Sequence, residues 1–348
     1  MDARLRYSRE ELLESHAYAR PHEAAGYRLH GGFMADGTYV SPRTKVRWPA
    51  VRAWQAALEA RGWPIIDCTS QLLKYGSYPN EAQQKLLLRE GFGQTLWNSL
   101  SITGIIEARG KALCNVTAPD LQKLIAEDIG DTALAHLNAG LLFAHGADEG
   151  GDPGDPGKGA HDAMWFAARD LLFGKDAYPV PVPPESIARP DSGSRLMPAI
   201  SEPYEQLFSF LMNVLMIEVR AESFFGFCMR LMRDSENFAD RRADAELAAT
   251  LVERIRTDEA IHVGYLATTV SELRSFTLNR VGGGTIAGKD VVDPVWAKMV
   301  DWHGREEREL AIPRTRAAIE AQVLEARGEA GRALLARFDA LGAERVAA

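Results

Sequence analysis

Two long segments with helical periodicity, separated by a short polar turn, constrain the fold of this chain most strongly. The first runs from Pro203 to about Arg233 and the second from about Ala243 to Arg274, and the turn between them reads DSENFADRR. A helix rises about 1.5 Å per residue, so each segment predicts a helix on the order of 45 Å long. Two such helices joined by a short connection favour an antiparallel helical hairpin.

A second pair of helical segments precedes this hairpin. Leu86, Trp97 and Glu107 recur at steps that place them on one helical face, and a further helix is predicted from about Asp120 to His145. The connection over 146–201 is long and begins GADEGGDPGDPGKG, which is too rich in Gly, Pro and Asp for regular structure. Two helical hairpins joined by one long crossover are typical of a four-helix bundle.

The chain therefore has a predicted all-α fold with three parts. The bundle occupies 81–275 and includes the crossover over 146–201. Residues 1–80 combine a short helix, a stretch of Gly, Tyr and Pro suited to turns and a short hairpin, and a helix near Pro49. They are predicted to form an N-terminal extension packed on the bundle, and 276–348 are predicted to form a C-terminal helical extension.

Charge and composition exclude several classes of function. The chain has 40 Lys+Arg against 48 Asp+Glu, a balance of 40 − 48 = −8 that argues against a nucleic-acid binder. Its most apolar stretch, Leu207 to Ile217, is much shorter than the roughly 20 residues of a membrane-spanning helix. The first residues lack the apolar core of a signal peptide, and Cys68, Cys114 and Cys228 are too scattered for a disulfide framework. These features predict a cytoplasmic protein without nucleic-acid or membrane partners.

The strongest chemical signal is RIRTDEAIHVGYL, residues 254–266. Glu259 and His262 lie three residues apart and project from one helical face. Ile255 and Leu266 lie on the same face, so this face is predicted to point to the core. A buried carboxylate and imidazole are costly unless they are paired or bind a metal. The pattern therefore predicts a metal site on this helix.

The run from Asp258 to Val263 resembles the last bundle helix of the ferritin-like di-iron carboxylate superfamily. That family uses one Glu from each of two helices and Glu-x-x-His from each of the other two. The resemblance implies a ferritin-like four-helix bundle with Glu259 and its histidine as ligands from the last helix. It also implies Glu107 on the first helix and Glu222 on the third, with Glu218 as a substitute or supporting partner for Glu222.

The second predicted helix departs from the family pattern. Glu127 is followed three residues later by Gly130 instead of a histidine. Asp128 and Asp131 have the required spacing and would give an oxygen-rich half-site, while Glu127 and His136 remain alternatives. Oxygen ligands suit manganese as well as iron. The resemblance thus implies two iron ions, with manganese or a mixed manganese–iron pair as alternatives, and occupancy by one metal also remains open.

Other polar residues near these positions have a less specific pattern. His145 and His161 flank the glycine–proline loop and are interpreted first as structural histidines. Asp258 or Glu218 is a candidate to orient an imidazole by a hydrogen bond, as residues around metal ligands commonly do. No nucleophile elbow, dinucleotide fingerprint or H-E-x-x-H motif competes with the metal site.

The resemblance implies an O₂-activating oxidase or oxygenase acting on a small organic substrate. Partners compatible with such chemistry are an electron-donor protein and a second copy of the chain. The alternative is a non-enzymatic protein, a helical scaffold or binding protein that has lost the metal site. The missing Glu-x-x-His on the second helix favours this alternative. A third interpretation, iron storage or ferroxidase activity, requires a large cage assembly. The metal ligands implied on the oxidase hypothesis are Glu107, Asp128, Asp131, Glu222, Glu259 and His262.

Overall fold

The computed structural model describes residues 4–73, 76–190 and 193–343, and most of them are helical, which confirms the predicted all-α class. The α-helices are α1 Arg9–Leu12, α2 Arg47–Ala60, α3 Glu81–Arg89, α4 Gln94–Gly110, α5 Leu142–Gly150, α6 His161–Phe173, α7 Glu202–Arg233, α8 Arg242–Ser275, α9 Gly288–Asp301, α10 Glu307–Arg327 and α11 Gly331–Ala343. The strands are β1 Arg20–Ala24, β2 Tyr27–Phe33, β3 Tyr39–Val40, β4 Thr277–Asn279 and β5 Thr285–Ala287.

The predicted hairpin of two long helices is present as α7 and α8, which pack side by side. Ser201 precedes α7 in an extended conformation and Pro203 lies in its first turn, where the missing N–H of proline costs no helical hydrogen bond. Arg230 and Arg233 lie in the last turn of α7, next to the negative end of the helix dipole. The sequence therefore sets both ends of this helix locally.

Two hydrophobic clusters occupy opposite ends of the α7–α8 pair. Leu215 of α7 and Leu266 of α8 belong to the first cluster, while Phe225 of α7 and Ile255 of α8 belong to the second. The two helices are therefore antiparallel. Between the clusters, both helices carry buried charged residues, and apolar packing on either side separates these residues from water.

The extent predicted for the second helix, about Asp120 to His145, is wrong. Residues over 121–141 form 3₁₀ turns, a π-helical turn and irregular segments, and α5 begins only after them. The Asp128 carboxylate accepts a hydrogen bond from the Gly130 N–H at 2.8 Å, a local bond that competes with helix formation. Gly140 has a φ of 132°, which interrupts the helical path just before α5.

Helix also continues further into the predicted crossover than the composition indicates. The first residues of the glycine-rich segment, over 146–150, are the last turn of α5, and α6 lies inside the crossover. The intervening loop is fastened to β2, because the His30 N–H donates to the Gly159 carbonyl at 2.8 Å and the Gly159 N–H donates to the Arg28 carbonyl at 2.9 Å. These bonds fix where α5 ends and where α6 begins.

The helices α4, α5 and α6 surround the middle of α8 together with α7. Helix α6 packs against both α4 and α8, and α5 packs against α4 and α6. The helix predicted to continue from Glu81 is divided into α3 and α4, with Gly91 at a φ of 84° in the break. Within the described ranges, no helix combines the length and the apolar content that crossing a membrane requires.

The N- and C-terminal parts contact this centre directly. Strands β1, β2 and β3 form an antiparallel sheet in that order, and α2 packs on α8. Val51 and Trp54 of α2 share the first hydrophobic cluster with α7 and α8. Helix α9 packs against α7 and α8, while α10 and α11 pack on each other and α11 contacts α3.

Candidate metal centre

Seven buried side chains from five helices converge between the two hydrophobic clusters, and we refer to them as the carboxylate–histidine cluster. They form two groups that share Glu149, and within each group the potential ligand atoms lie within 4.8 Å of one another. Every member is at most 8% exposed. The first group is His145, Glu149, Glu218 and His262, and the second is Glu107, Glu149, His161 and Glu259.

Helix α8 contributes Glu259 and His262 from one face, as their spacing predicts. The His262 Nδ1 lies 2.6 Å from Glu259 Oε2 and 3.1 Å from Glu149 Oε1. Glu259 Oε1 also lies 3.0 Å from His161 Nδ1. The pair on α8 therefore connects the two groups.

Helices α5 and α6 contribute three residues that the sequence analysis did not select as ligands. His145 and Glu149 lie four residues apart in HGADE and face the same side of α5. The His145 Nε2 lies 3.1 Å from Glu218 Oε1 and 3.5 Å from Glu149 Oε1. His161 is the first residue of α6. The spacing of His145 and Glu149 was the available signal, and the interpretation of the glycine-rich segment that begins at Gly146 as irregular concealed it.

Each of the three cluster histidines also contacts a second polar group through its other ring nitrogen. This is the usual arrangement around metal-bound imidazoles, because the outer partner fixes the ring orientation and the tautomer. His145 and His262 additionally stack with ring centroids 3.9 Å apart. The outer contacts are His262 Nε2 with Asp148 Oδ2 at 3.2 Å, His145 Nδ1 with Tyr265 Oη at 2.8 Å, and His161 Nε2 with Asp258 Oδ2 at 3.4 Å.

The four glutamates of the cluster have opposing pKa shifts. Burial, together with the neighbouring Glu149, raises the pKa of Glu107 well above its ordinary value. Burial, together with Glu259 and Glu149, does the same for the pKa of Glu218. Burial also opposes ionisation of Glu149, but its close contacts with Glu107 and the nearby histidines hold its pKa well below the ordinary value. Without added cations, the cluster therefore shares protons among its carboxylates.

The histidines respond to the same charges. Burial disfavours the imidazolium of His161 and His262, yet Glu259 together with the other carboxylates around each ring outweighs burial and raises both pKa values well above the ordinary value. For His145, burial and the adjacent His262 lower the pKa to about 3. Protons thus provide part of the positive charge that the carboxylates require, and metal ions would replace these protons.

The donor set fits two divalent ions. Four ionised glutamates carry a charge of −4, which two divalent cations would balance if the imidazoles are neutral. Glu149 Oε1 and His161 Nδ1 are buried and have no hydrogen-bond partner among the described residues. His161 Nδ1 therefore lies close to Glu259 without hydrogen-bond geometry. Two ligands of one shared ion approach each other in the same way. Oxygen and imidazole donors suit iron and manganese.

Three of the six ligands predicted from the sequence lie in the cluster: Glu107, Glu259 and His262. On α7, Glu218 takes the position that the prediction gave to Glu222. Glu222 is half-buried outside the cluster and accepts three hydrogen bonds from Arg256, at 2.5 to 2.9 Å. Glu218 is therefore the α7 residue in the cluster, and the sequence analysis had left it open as the alternative to Glu222.

The structure does not bring Asp128 or Asp131 to the cluster, because the segment that carries them is not a helix. Both side chains are exposed and pair with Arg6, with nitrogen–oxygen distances of 3.7 Å and 2.5 Å. The two alternatives are also engaged elsewhere. Glu127 accepts the Thr277 N–H, and His136 accepts the Tyr7 N–H at 3.0 Å.

Comparisons with protein-family models, curated proteins and solved structures found no match for this chain. The geometry of the carboxylate–histidine cluster therefore carries the functional argument by itself.

Proposed function

We propose that this chain is a metal-dependent oxidoreductase of the ferritin-like type. It holds two iron ions, or manganese in one or both positions, and it acts on a small organic substrate with O₂. The single observation that carries the proposal is that Glu149 belongs to two four-residue ligand groups, each of which contains histidine and carboxylate donors. Glu149 would therefore contribute to both positions.

The two groups assign the ligands to two positions. Glu218, His145 and His262 would hold one ion, and Glu107, His161 and Glu259 would hold the other, with Glu149 between them. This ligand set differs from the ferritin-like pattern in one respect. Only α8 has Glu-x-x-His, while α5 and α6 together replace the second such helix. The packing of α4, α7, α8 and the α5–α6 pair supports a bundle of this type.

The chain's own residues prepare this position for redox chemistry. An iron pair bound there supplies one-electron redox steps with O₂. The Trp165 Nε1–H donates to Glu107 Oε1 at 3.1 Å and so fixes the orientation of that carboxylate. The hydrophobic clusters on either side exclude water, which strengthens every charge interaction inside the cluster.

The first experiment is the metal content per chain, measured by plasma mass spectrometry on protein purified without added metal and again after anaerobic Fe(II) loading. We expect one to two equivalents of iron or manganese, and we expect Fe(II)-loaded protein to consume O₂ in an oxygen-electrode assay. The His262→Ala variant should bind less metal while its far-ultraviolet circular dichroism stays unchanged.

Three results would contradict parts of this proposal. Protein that stays metal-free after Fe(II) loading would be a helical scaffold without a metal site. Unchanged metal content in His262→Ala would refute that ligand assignment. A very large particle in size-exclusion chromatography would instead favour storage or ferroxidase activity.

We also propose a reducing compartment, such as the cytoplasm, as the place of action. Cys68, Cys114 and Cys228 are free thiols. Burial raises the pKa of Cys68 to about 12 and raises that of Cys228 as well, and such thiols are poor nucleophiles for disulfide exchange. Thiol titration of protein unfolded without reductant should therefore find three reactive thiols per chain, and a lower count would contradict this proposal.

A further inference from the structure

Two buried carboxylates connect the N-terminal sheet region to the carboxylate–histidine cluster. Asp148 lies on α5 and Asp258 lies on α8, and each is 1% exposed. Each faces a cluster histidine on one side and residues from the segment 30–47 on the other. We refer to these two residues as the outer carboxylates.

Asp148 is held by two arginines. Arg47 donates from Nη2 to Asp148 Oδ2 at 2.6 Å, and Arg43 donates from Nη2 to Asp148 Oδ1. The Arg47 side chain is fully buried and Arg43 is nearly so. Burying two guanidinium groups costs desolvation free energy, so these ion pairs contribute little net stability. A role in positioning Asp148 gives a reason for their presence. The opposite face of Asp148 lies against His262 Nε2.

The backbone at Arg43 supports a specific role for this contact. Its φ of 52° lies in the left-handed region, which non-glycine residues rarely adopt because the backbone is strained there. Strain of this kind persists where the surrounding structure holds the residue in place. Here the side chain at the strained position is one of the two that hold Asp148.

Asp258 has a parallel set of partners. The Tyr39 hydroxyl donates to Asp258 Oδ2 at 2.9 Å, and His30 Nε2 lies 2.9 Å from the same oxygen. Gly31 makes room for this contact, because a Cβ there would overlap the Tyr39 ring, and its φ is 68°. Asp258 lies on its other side against His161 Nε2.

The outer carboxylates determine which nitrogen of each imidazole carries the proton. An ionised carboxylate only accepts hydrogen bonds, so His262 and His161 must donate from Nε2. When a metal displaces the second proton of each imidazolium, the Nδ1 lone pair of both neutral rings would then face the glutamates of the cluster. This is the tautomer that a metal ligand requires at that position.

We infer that the segment 30–47 is the orienting part of the metal centre. Arg43 and Arg47 act through Asp148 on His262, and Tyr39 and His30 act through Asp258 on His161. All four are positioning residues, since their polar contacts toward the ligands run through the outer carboxylates, and His30 also packs edge-to-face on His161 with ring centroids 5.0 Å apart. The inference rests on the proposed metal-binding function.

The test is a Co(II) titration of the whole chain under anaerobic conditions, followed by d–d absorption in the visible range. The variants are Asp148→Asn and Arg47→Met. The matched control is Glu205→Gln, because Glu205 is also a buried carboxylate held by an arginine, Arg195. Glu205 precedes Glu218 by 13 residues on α7, which is about 20 Å along the helix.

We expect Asp148→Asn and Arg47→Met to weaken Co(II) affinity about 10–100-fold and to alter the d–d spectrum. Glu205→Gln should keep the affinity and the spectrum, even if its melting temperature falls. Asp148→Glu restores the charge and should recover part of the affinity. A purely structural role for the arginines would lower stability in all variants alike and leave the spectrum unchanged.

Three other results would refute the inference. Wild-type protein that binds Co(II), together with folded Asp148→Asn protein of equal affinity and spectrum, would refute the orienting role and leave the metal site intact. Wild-type protein that binds no Co(II) would refute the metal function and this inference with it. If Asp148→Asn fails to fold, Tyr39→Phe removes only one hydroxyl, and unchanged affinity and spectrum in that variant would refute the inference.

Discussion

Glu218 and Glu222 provide a matched pair of substitutions on α7, one helical turn apart. The sequence alone favours Glu222 as the ligand, whereas the structure places Glu218 in the cluster and Glu222 in contact with Arg256. We predict that Glu218→Gln reduces bound metal from about two equivalents to about one, because Glu218 belongs to only one of the two groups. Glu222→Gln should retain both equivalents.

Neither substitution should unfold the protein. Burial, with Glu259 and Glu149, raises the pKa of Glu218 and so favours its neutral form without metal, which glutamine closely mimics. Glu222 and Arg256 form an exposed ion pair, with 39% and 47% of their side-chain areas accessible. Such pairs contribute about 0.2–1 kcal/mol to the free energy of unfolding.

The assay is anaerobic Fe(II) loading, removal of free metal and plasma mass spectrometry per chain, with urea unfolding of the metal-free proteins in parallel. The free energies of unfolding of both variants should lie within about 1 kcal/mol of the wild type. Loss of metal in Glu222→Gln, with two equivalents retained in Glu218→Gln, would mean that α7 presents another face to the cluster. That result would refute the ligand groups described above.

Three further predictions concern other carboxylates. Glu149→Gln should lose both metals, because both groups contain Glu149, and retention of one equivalent in plasma mass spectrometry would exclude a bridging role. Asp128→Ala and Asp131→Ala should leave metal content unchanged, since both side chains are exposed and pair with Arg6. Burial raises the pKa of Glu272 to about 8, so the wild type should lose unfolding free energy as pH rises from about 4.5 to 8, by at most about 1.4 kcal/mol per pH unit. Urea unfolding at pH 5 and pH 8 should show no such loss in Glu272→Gln. An equal change in unfolding free energy between the two pH values in both proteins would contradict the raised pKa of Glu272.

The part of the site on α8 was predictable because its signal is local. Glu259 and His262 are three residues apart within a strongly periodic helix, and periodicity fixes their common face. Glu218 and Glu222 differ by one turn in a helix that is apolar on most sides. Periodicity alone cannot choose between them, because the choice depends on where Arg256 of the neighbouring helix lies.

The second helix could not be derived because its position depends on distant contacts. The spacing of Asp128 and Asp131 led to their prediction as ligands, on the assumption of an unbroken helix. His161 reaches the cluster instead, because backbone hydrogen bonds between Gly159 and β2 hold the loop before α6. A pattern of residues within one segment contains no information about such a pairing with strand β2.

The distribution of the cluster along the chain has a consequence for biosynthesis. The ligands extend from Glu107 to His262, and the arginines that hold Asp148 lie about 100 residues before it. The ribosome must therefore release more than half of α8 before either ligand group is complete, because Glu259 and His262 lie beyond the middle of this helix. A nascent chain that ends before that point has no local precursor of the site. On the proposed metal-binding function, metal selection would thus be a property of the finished fold, with the ion supplied after translation.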